Sequence, residues 1–297
     1  MNTAKDGMVM GTENLKVNWR PELDGAQMVL GLTGWMDGGE VSTGSVEYLA
    51  KTLRAHRFAH IFNSGFYIYN VPGSMEVSAL FRPRTEIEGG LVTRYEEPAN
   101  RFYADEVNRL VLFNGKEPNL RWHDFAECIF AAAEQCGVRR IVFIGSVSGA
   151  VPHTREPRFH ASVSDRNLLR LLESHGVEPS EYEGPASFIT HMLRHAPAHD
   201  IELVCLVAEV PAYVQGRNVK AVESAVRKLA AMLEMPLVPH DLKILADAFE
   251  RRLKEVLSER GELRELIEKM EADYDREVRD SHMADLEAWF EKQNIRL

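Results

Sequence analysis

Three cysteines in 297 residues are too few, and too poorly spaced, for a disulfide framework. Cys128 and Cys136 fall in one predicted helix, where eight residues separate them by about 12 Å. A disulfide needs Cα atoms within about 7 Å. Cys205 falls in a predicted buried strand, and no CxxC pair offers thiolates to a metal. The expectation is of reduced core cysteines in a cytoplasmic protein, with neither cofactor nor metal. No apolar run approaches the ~20 residues of a membrane-spanning helix, so no membrane partner is expected. Met1 to Trp19 carries Lys5, Asp6, Glu13 and Lys16 without an apolar core, and reads as a frayed tail rather than a signal peptide. Basic charge is also in deficit: 35 Lys and Arg against 45 Asp and Glu give a net charge of −10, which argues against nucleic acid as the main partner. Nucleotide-binding GxGxxG and GxxxxGKS/T patterns are absent, and so is HExxH. Gly145-Ser-Val-Ser-Gly149 does not place serine at the centre of a GxSxG elbow, which disfavours a serine hydrolase.

What is present is an ordinary globular composition, 45% hydrophobic and 27% charged, which supports a sizeable core. Met28 to Thr33, Arg57 to Phe62, Asn108 to Phe113, Ile141 to Ile144 and Leu203 to Ala208 read as strands, several of them buried on both faces. Helices are expected from Gly39 to Ala55, from Glu117-Pro118 to Gly137, around Leu168 to Leu172, from Gly184-Pro185 to His195, and from Val219 to Met235. Asp37 with Glu40, and Ser162 with Asp165, have capping-box spacing. Asn114-Gly115 reads as a turn, and Phe66 to Arg94 as a hairpin or irregular strands. Alternation of this kind predicts an α/β domain, residues 25–238, with a mainly parallel sheet covered by helices on both faces. It follows a tail over 1–24. A helical extension over 239–297 closes the chain, with one apolar stripe at Leu242, Leu245, Phe249, Leu253 and Val256, and a second from Leu263 to Val278. Those stripes need cover from the main domain, from each other or from another subunit.

If the strands are parallel, three loops meet at their carboxyl edge, where open α/β sheets bind ligands. They are Gly34 to Gly39, Gly145 to Arg155 and Glu209 to Tyr213. Asp37, His153 and Arg155 are the candidate catalytic residues, with His153 as acid or base and Arg155 as an anion clamp. Gly38, Gly39, Gly145, Ser146, Gly149, Thr154, Glu209 and Tyr213 are candidates for contacting a ligand or partner. Asp37 could equally be a helix cap, and His153 a structural histidine bonded to backbone. His191, His195 and His199 have i, i+4 spacing, but Pro197 interrupts it, and they read as surface or capping residues.

Five segments in order, Gly34-Trp-Met-Asp-Gly-Gly39, Gly115-Lys-Glu-Pro-Asn-Leu-Arg-Trp122, Val151-Pro-His-Thr-Arg155, Tyr182-Glu-Gly-Pro185 and Val210-Pro-Ala-Tyr-Val214, give the chain a resemblance to the proteasome assembly chaperone two-like family over residues 25 to 235. The resemblance implies a three-layer α/β/α fold similar to nucleoside phosphorylases and related hydrolases. It also implies a non-enzymatic, protein-binding role in a homo-oligomer, with another protein as a possible partner. The alternative is an enzyme or small-ligand binder acting on an anionic substrate, hydrolase- or phosphorylase-like, or of the carboxylate-amine ligase kind attached to some relatives. The final residues, Asn294-Ile-Arg-Leu297, lack the penultimate tyrosine with which such chaperones dock on the proteasome, so docking by that motif is not expected.

Overall fold

The computed structural model describes residues 12–258 and 261–292. A nine-stranded sheet runs through the molecule in the order β1-β3-β6-β7-β2-β8-β11-β9-β10. Its centre is four parallel strands: β7 (Leu110–Lys116), β2 (Gln27–Thr33), β8 (Arg140–Gly149) and β11 (Glu202–Pro211). Both flanks turn antiparallel, through β6 (Asn100–Asp105), β3 (His56–Ile61) and β1 (Leu15–Val17) on one side and β9 (Phe159–Val163) on the other. The two-residue β10 (Glu178–Pro179) pairs parallel with β9. The sheet is therefore mixed, with the expected parallel arrangement at its heart.

The central strands are apolar at nearly every position because helices cover both faces. Met28, Leu30, Phe113, Ile141 and Phe143 pack under α3 (Trp122–Gln135) and α5 (Phe188–His195). Their sequence neighbours Val29, Leu112, Val142 and Ile144 point the other way, under α1 (Val41–Thr52), α4 (Leu169–Ser174) and α6 (Val219–Met232). This alternation builds two apolar layers and yields the three-layer sandwich.

Helix α1 lies very close to β2. A Cβ on Gly31 would come within 2.7 Å of the Ser42 carbonyl oxygen and the Val46 side chain. Ser42 itself is fully buried; its hydroxyl accepts from Leu32 N–H at 2.9 Å and donates to the Ile144 carbonyl, tying β2, α1 and β8 together. Gly31→Ala is expected to cost about 1–3 kcal/mol, the range for overpacking against backbone that cannot retreat. A lowered urea midpoint at unchanged slope would record it.

Several local expectations change. Leu15–Val17, placed in the frayed tail, is an edge strand hydrogen-bonded to β3; residues 1–11 of that tail lie outside the described residues. Asn114-Gly115 is not a turn but the end of β7, paired with Gly31 and Leu32. Ser162 does not cap a helix, because it sits within β9; Asp165 caps alone, accepting from Asn167 N–H at 2.7 Å. Pro118 precedes its helix rather than opening it, and α3 starts at Trp122.

Residues between β3 and β6 form an arm: α2 (Met75–Ala79) and a hairpin of β4 (Arg84–Glu88) and β5 (Leu91–Glu96), which make a separate two-stranded sheet. At the other end, α7 (His240–Ser258) and α8 (Gly261–Lys292) pack back on the body and cover their stripes only in part: Leu242 and Ile267 are buried, whereas Leu245, Val256 and Leu266 stay about half exposed.

Candidate functional site

Parallel pairing of β2, β8 and β11 does bring the three expected segments to one edge, but much of them is strand rather than loop. Gly145, Ser146 and Gly149 belong to β8, and Glu209 to β11. Ser146 is fully buried; its N–H donates to Met36 O at 2.9 Å and its hydroxyl to Gly38 O at 2.6 Å. It staples the Gly34–Gly39 segment to the sheet and is no exposed nucleophile. Gly38 and Gly39 serve close approach: Cβ atoms there would meet Val210 at 3.3 Å and Asn218 at 2.9 Å, and Gly39 has φ +64°. Gly149 abuts the Glu209 side chain, whose carboxylate faces His160 Nε2 at 3.4 Å.

Asp37 does not form a capping box with Glu40. A 3-10 turn over Gly38–Glu40 intervenes, and Glu40 occupies the N-cap position in a left-handed conformation. Asp37 instead reaches six residues ahead, accepting from Thr43 N–H at 3.1 Å and from the Thr43 hydroxyl at 2.9 Å. Burial outweighs these bonds and pushes the carboxyl pKa up to about 6.

His153 is enclosed. Tyr213 OH accepts from His153 N–H and lies 2.8 Å from Nδ1, and Lys220 Nζ donates to the His153 carbonyl at 2.7 Å. Burial lowers the affinity of the imidazole for a proton. The next two residues are engaged by α8: Thr154 donates to Glu271, and Arg155 makes a bidentate pair with Asp275 at 2.7 and 2.8 Å. Arg158 stacks on the Tyr274 ring at 4.6 Å. The guanidinium expected to clamp an anionic substrate therefore holds a carboxylate of its own chain.

The three catalytic candidates share an edge but no cavity. His153 and Arg155 line a space of only about 10 Å³ beside Phe249. Asp37 opens into a groove of about 670 Å³ with Thr33, Thr43, Arg101, Asn114 and Lys116. Lys116 was not anticipated. Its signal lay in the Gly115-Lys-Glu-Pro run: with β7 parallel to β2, Lys116 pairs with Thr33 at the same edge. Its neighbour Glu117 was missed as well. One carboxylate oxygen accepts from Trp35 N–H at 2.8 Å and the other from Phe188 N–H, at the start of α5, at 3.1 Å. Glu117→Gln retains one acceptor only, and is expected to lose about 1–2 kcal/mol, seen as a lower urea midpoint.

The histidines also regroup. His191 and His195 are joined by His123 of α3, with ring centroids 4.3 to 6.3 Å apart, whereas His199 bonds Glu127 and Glu134. Among the described residues no three His, Cys, Asp or Glu side chains converge as a metal site. All three cysteines are buried and none forms a disulfide, and burial pushes their thiols up, to about 12 for Cys128 and Cys205 and about 11 for Cys136. Among the described residues no helix is long and apolar enough to cross a membrane.

Fold and edge together define a three-layer α/β protein with an arm inserted on one flank and a helical extension folded over the loop after β8. The chain belongs to the PAC2 family, whose model matches residues 31–257. No curated protein matches it in sequence. Among solved structures it is similar to Mycobacterium tuberculosis Rv2714, a protein of unknown function, at 22% identity and a TM-score of 0.79, covering 92% of each chain. It is also similar to the Mycobacterium tuberculosis proteasome-assembly chaperone homologue Rv2125, at 26% identity and a TM-score of 0.69, covering 81% of this chain and 99% of that one. Pyrococcus furiosus PbaB, an archaeal proteasome activator, aligns at 20% identity and a TM-score of 0.61, over 82% and 97% of the two chains.

Proposed function

We propose that the protein is a cytoplasmic, assembly-chaperone-like binding protein that self-associates and grips a protein partner. The observation that carries this reading is the arm. Met75, Leu80, Ile87, Leu91, Val92 and Tyr95 are each more than half exposed and fall within 21 residues. A two-stranded hairpin is marginal by itself, and apolar side chains clustered in this way mark a surface awaiting cover. Between arm and body lies a cleft of about 1580 Å³ lined by Tyr67, Tyr69, Tyr95, Arg57 and Arg101, open to a partner segment. Family membership and the likeness to assembly-chaperone homologues support the same reading. The C-terminal helices, which the sequence offers for self-association, keep Ile244, Leu245, Val256 and Leu266 half exposed or more, and the arm adds a second apolar surface to theirs. Docking on a proteasome through a C-terminal tyrosine is not part of the reading, and residues 293–297 lie outside the described residues.

Affinity purification of the full chain from its native host, with quantitative mass spectrometry, tests the proposal. A stoichiometric partner that is lost with Ile87→Asp and Leu91→Asp is the expected result. Recovery of nothing beyond the chain itself would overturn it. The competing reading, an enzyme using Asp37, His153 and Arg155 on one anionic substrate, is weakened because those residues face separate spaces and Arg155 is already paired.

A further inference from the structure

On its antiparallel flank the sheet has one covered face and one open face. Ala59, Ile61 and Phe102 belong to the apolar layer under α3. On the other side Lys16, His60 and Arg101 stand directly opposite one another across β1, β3 and β6, so their side chains share a face. Arg57 joins them: the register shifts between Arg57 and Ala59, and Arg57 pairs with Tyr103, two residues on from Arg101. His60, Arg57 and Arg101 line the cleft beside the arm, together with Phe62, Tyr69 and Tyr95, which are each exposed. The carboxylates lining that cleft are Glu47, Glu96 and Glu97. Glu47 faces Arg217 at 3.5 Å and Glu96 pairs with Arg94. Among the described lining residues only Glu97 is left to balance Arg57, Arg101 and the adjoining Lys16. His60 senses the same imbalance. Burial, then the charges of Lys16, Arg57 and Arg101, lower its affinity for a proton, and its buried Nδ1 has no hydrogen-bond partner among the described residues. On a chain of net charge −10, a basic floor edged by aromatic side chains is a local reversal of sign.

We propose that the cleft between arm and body takes an acidic peptide segment of the protein partner, with its carboxylates on Arg57, Arg101 and Lys16 and its apolar side chains against Phe62, Tyr69 and Tyr95. This rests on the grip assigned to the arm and names the chemistry of what is gripped. Charge complementarity selects the occupant: the two guanidinium groups can each take a carboxylate bidentately, and the ammonium of Lys16 extends the row across the sheet. The exposed apolar residues of the hairpin then close over a segment already held by its charge, which sets the order of steering first and cover second.

The test uses a fluorescein-labelled octaglutamate peptide, read by fluorescence anisotropy on the purified full chain. An acidic chain repels such a peptide elsewhere, so binding reports a local site. Arg57→Gln with Arg101→Gln is expected to weaken binding at least about tenfold, with circular dichroism and melting temperature unchanged. Lys16→Gln should weaken it less. Arg166→Gln with Arg170→Gln, two exposed arginines at and before α4, should leave it within about twofold. Affinity should fall severalfold between about 50 and about 200 mM salt. Binding no tighter than that of a neutral glycine-serine peptide, or an equal loss in the Arg166 and Arg170 variant, would overturn the inference. Tighter binding of an oligothymidylate than of octaglutamate would overturn it as well, and give the surface to nucleic acid. The peptide needs no native partner, so the two readings fail separately. A partner lost in the arm variants while octaglutamate stays unbound overturns this inference alone; octaglutamate bound as expected with no partner recovered overturns the arm's grip alone.

Discussion

Replacing Ile87, Leu91 and Val92 together by aspartate is expected to reduce the protein to a 33.7 kDa monomer by light scattering, with little change in melting temperature. The two halves of this expectation have separate causes. The hairpin forms no hydrogen-bonded ladder with the main sheet, and every residue of β5 is exposed, so the body does not depend on these side chains. An interface that covers them does. Three carboxylates would each have to be stripped of water without a partner, at several kcal/mol apiece. Even about 4 kcal/mol in total weakens association roughly a thousandfold. An assembly mass unmoved by the triple substitution, or a wild-type chain already monomeric, would remove the arm from self-association. A large fall in melting temperature would show instead that the hairpin packs on its own body.

The parts legible from sequence were those whose signal is local. Met28 to Leu32, Val142 to Ile144 and Leu203 to Ala208 are buried on both faces, and an unbroken apolar run is what such burial demands. Gly137 and Gly176, with φ of +64° and +58°, end their helices as a residue without a Cβ can. The elements that escaped are held by partners distant in sequence. Strand β1 has three residues and exists because β3 offers it an edge; β9 exists because β11 does. Likewise Asn-Gly reads as a turn by propensity, but at 114–115 a neighbouring strand on each side overrides it. The site divides in the same way. The convergence of three segments on one edge follows from parallel order, which alternation predicts. The pairing of Arg155 with Asp275, 120 residues away, could not be read, and it changes the arginine from a ligand clamp to an anchor for α8.

Asp37→Asn is expected to stabilise the protein at pH 7.5 and to have almost no effect near pH 4. In the folded chain the carboxyl keeps its proton up to about pH 6, against 3.8 when exposed, because burial disfavours the carboxylate. Between those values the folded state binds the extra proton. The stability this lends is complete below pH 3.8 and is lost as pH rises through 6. Above that range the wild type carries a desolvated charge, which asparagine lacks. Asparagine also preserves the contacts, since its oxygen can accept from Thr43 N–H and its amide can donate to the Thr43 hydroxyl. Two units at about 1.4 kcal/mol each set a ceiling near 3 kcal/mol, and partial solvent access brings the expected gain to about 1–2 kcal/mol. Urea midpoints of both proteins at pH 7.5 and pH 4 measure it. If asparagine destabilises at both, the carboxylate is a structural brace for α1 and nothing more. If it stabilises at pH 7.5, the chain is keeping a costly buried carboxyl at the edge of its groove, as proteins do where a site matters more than stability.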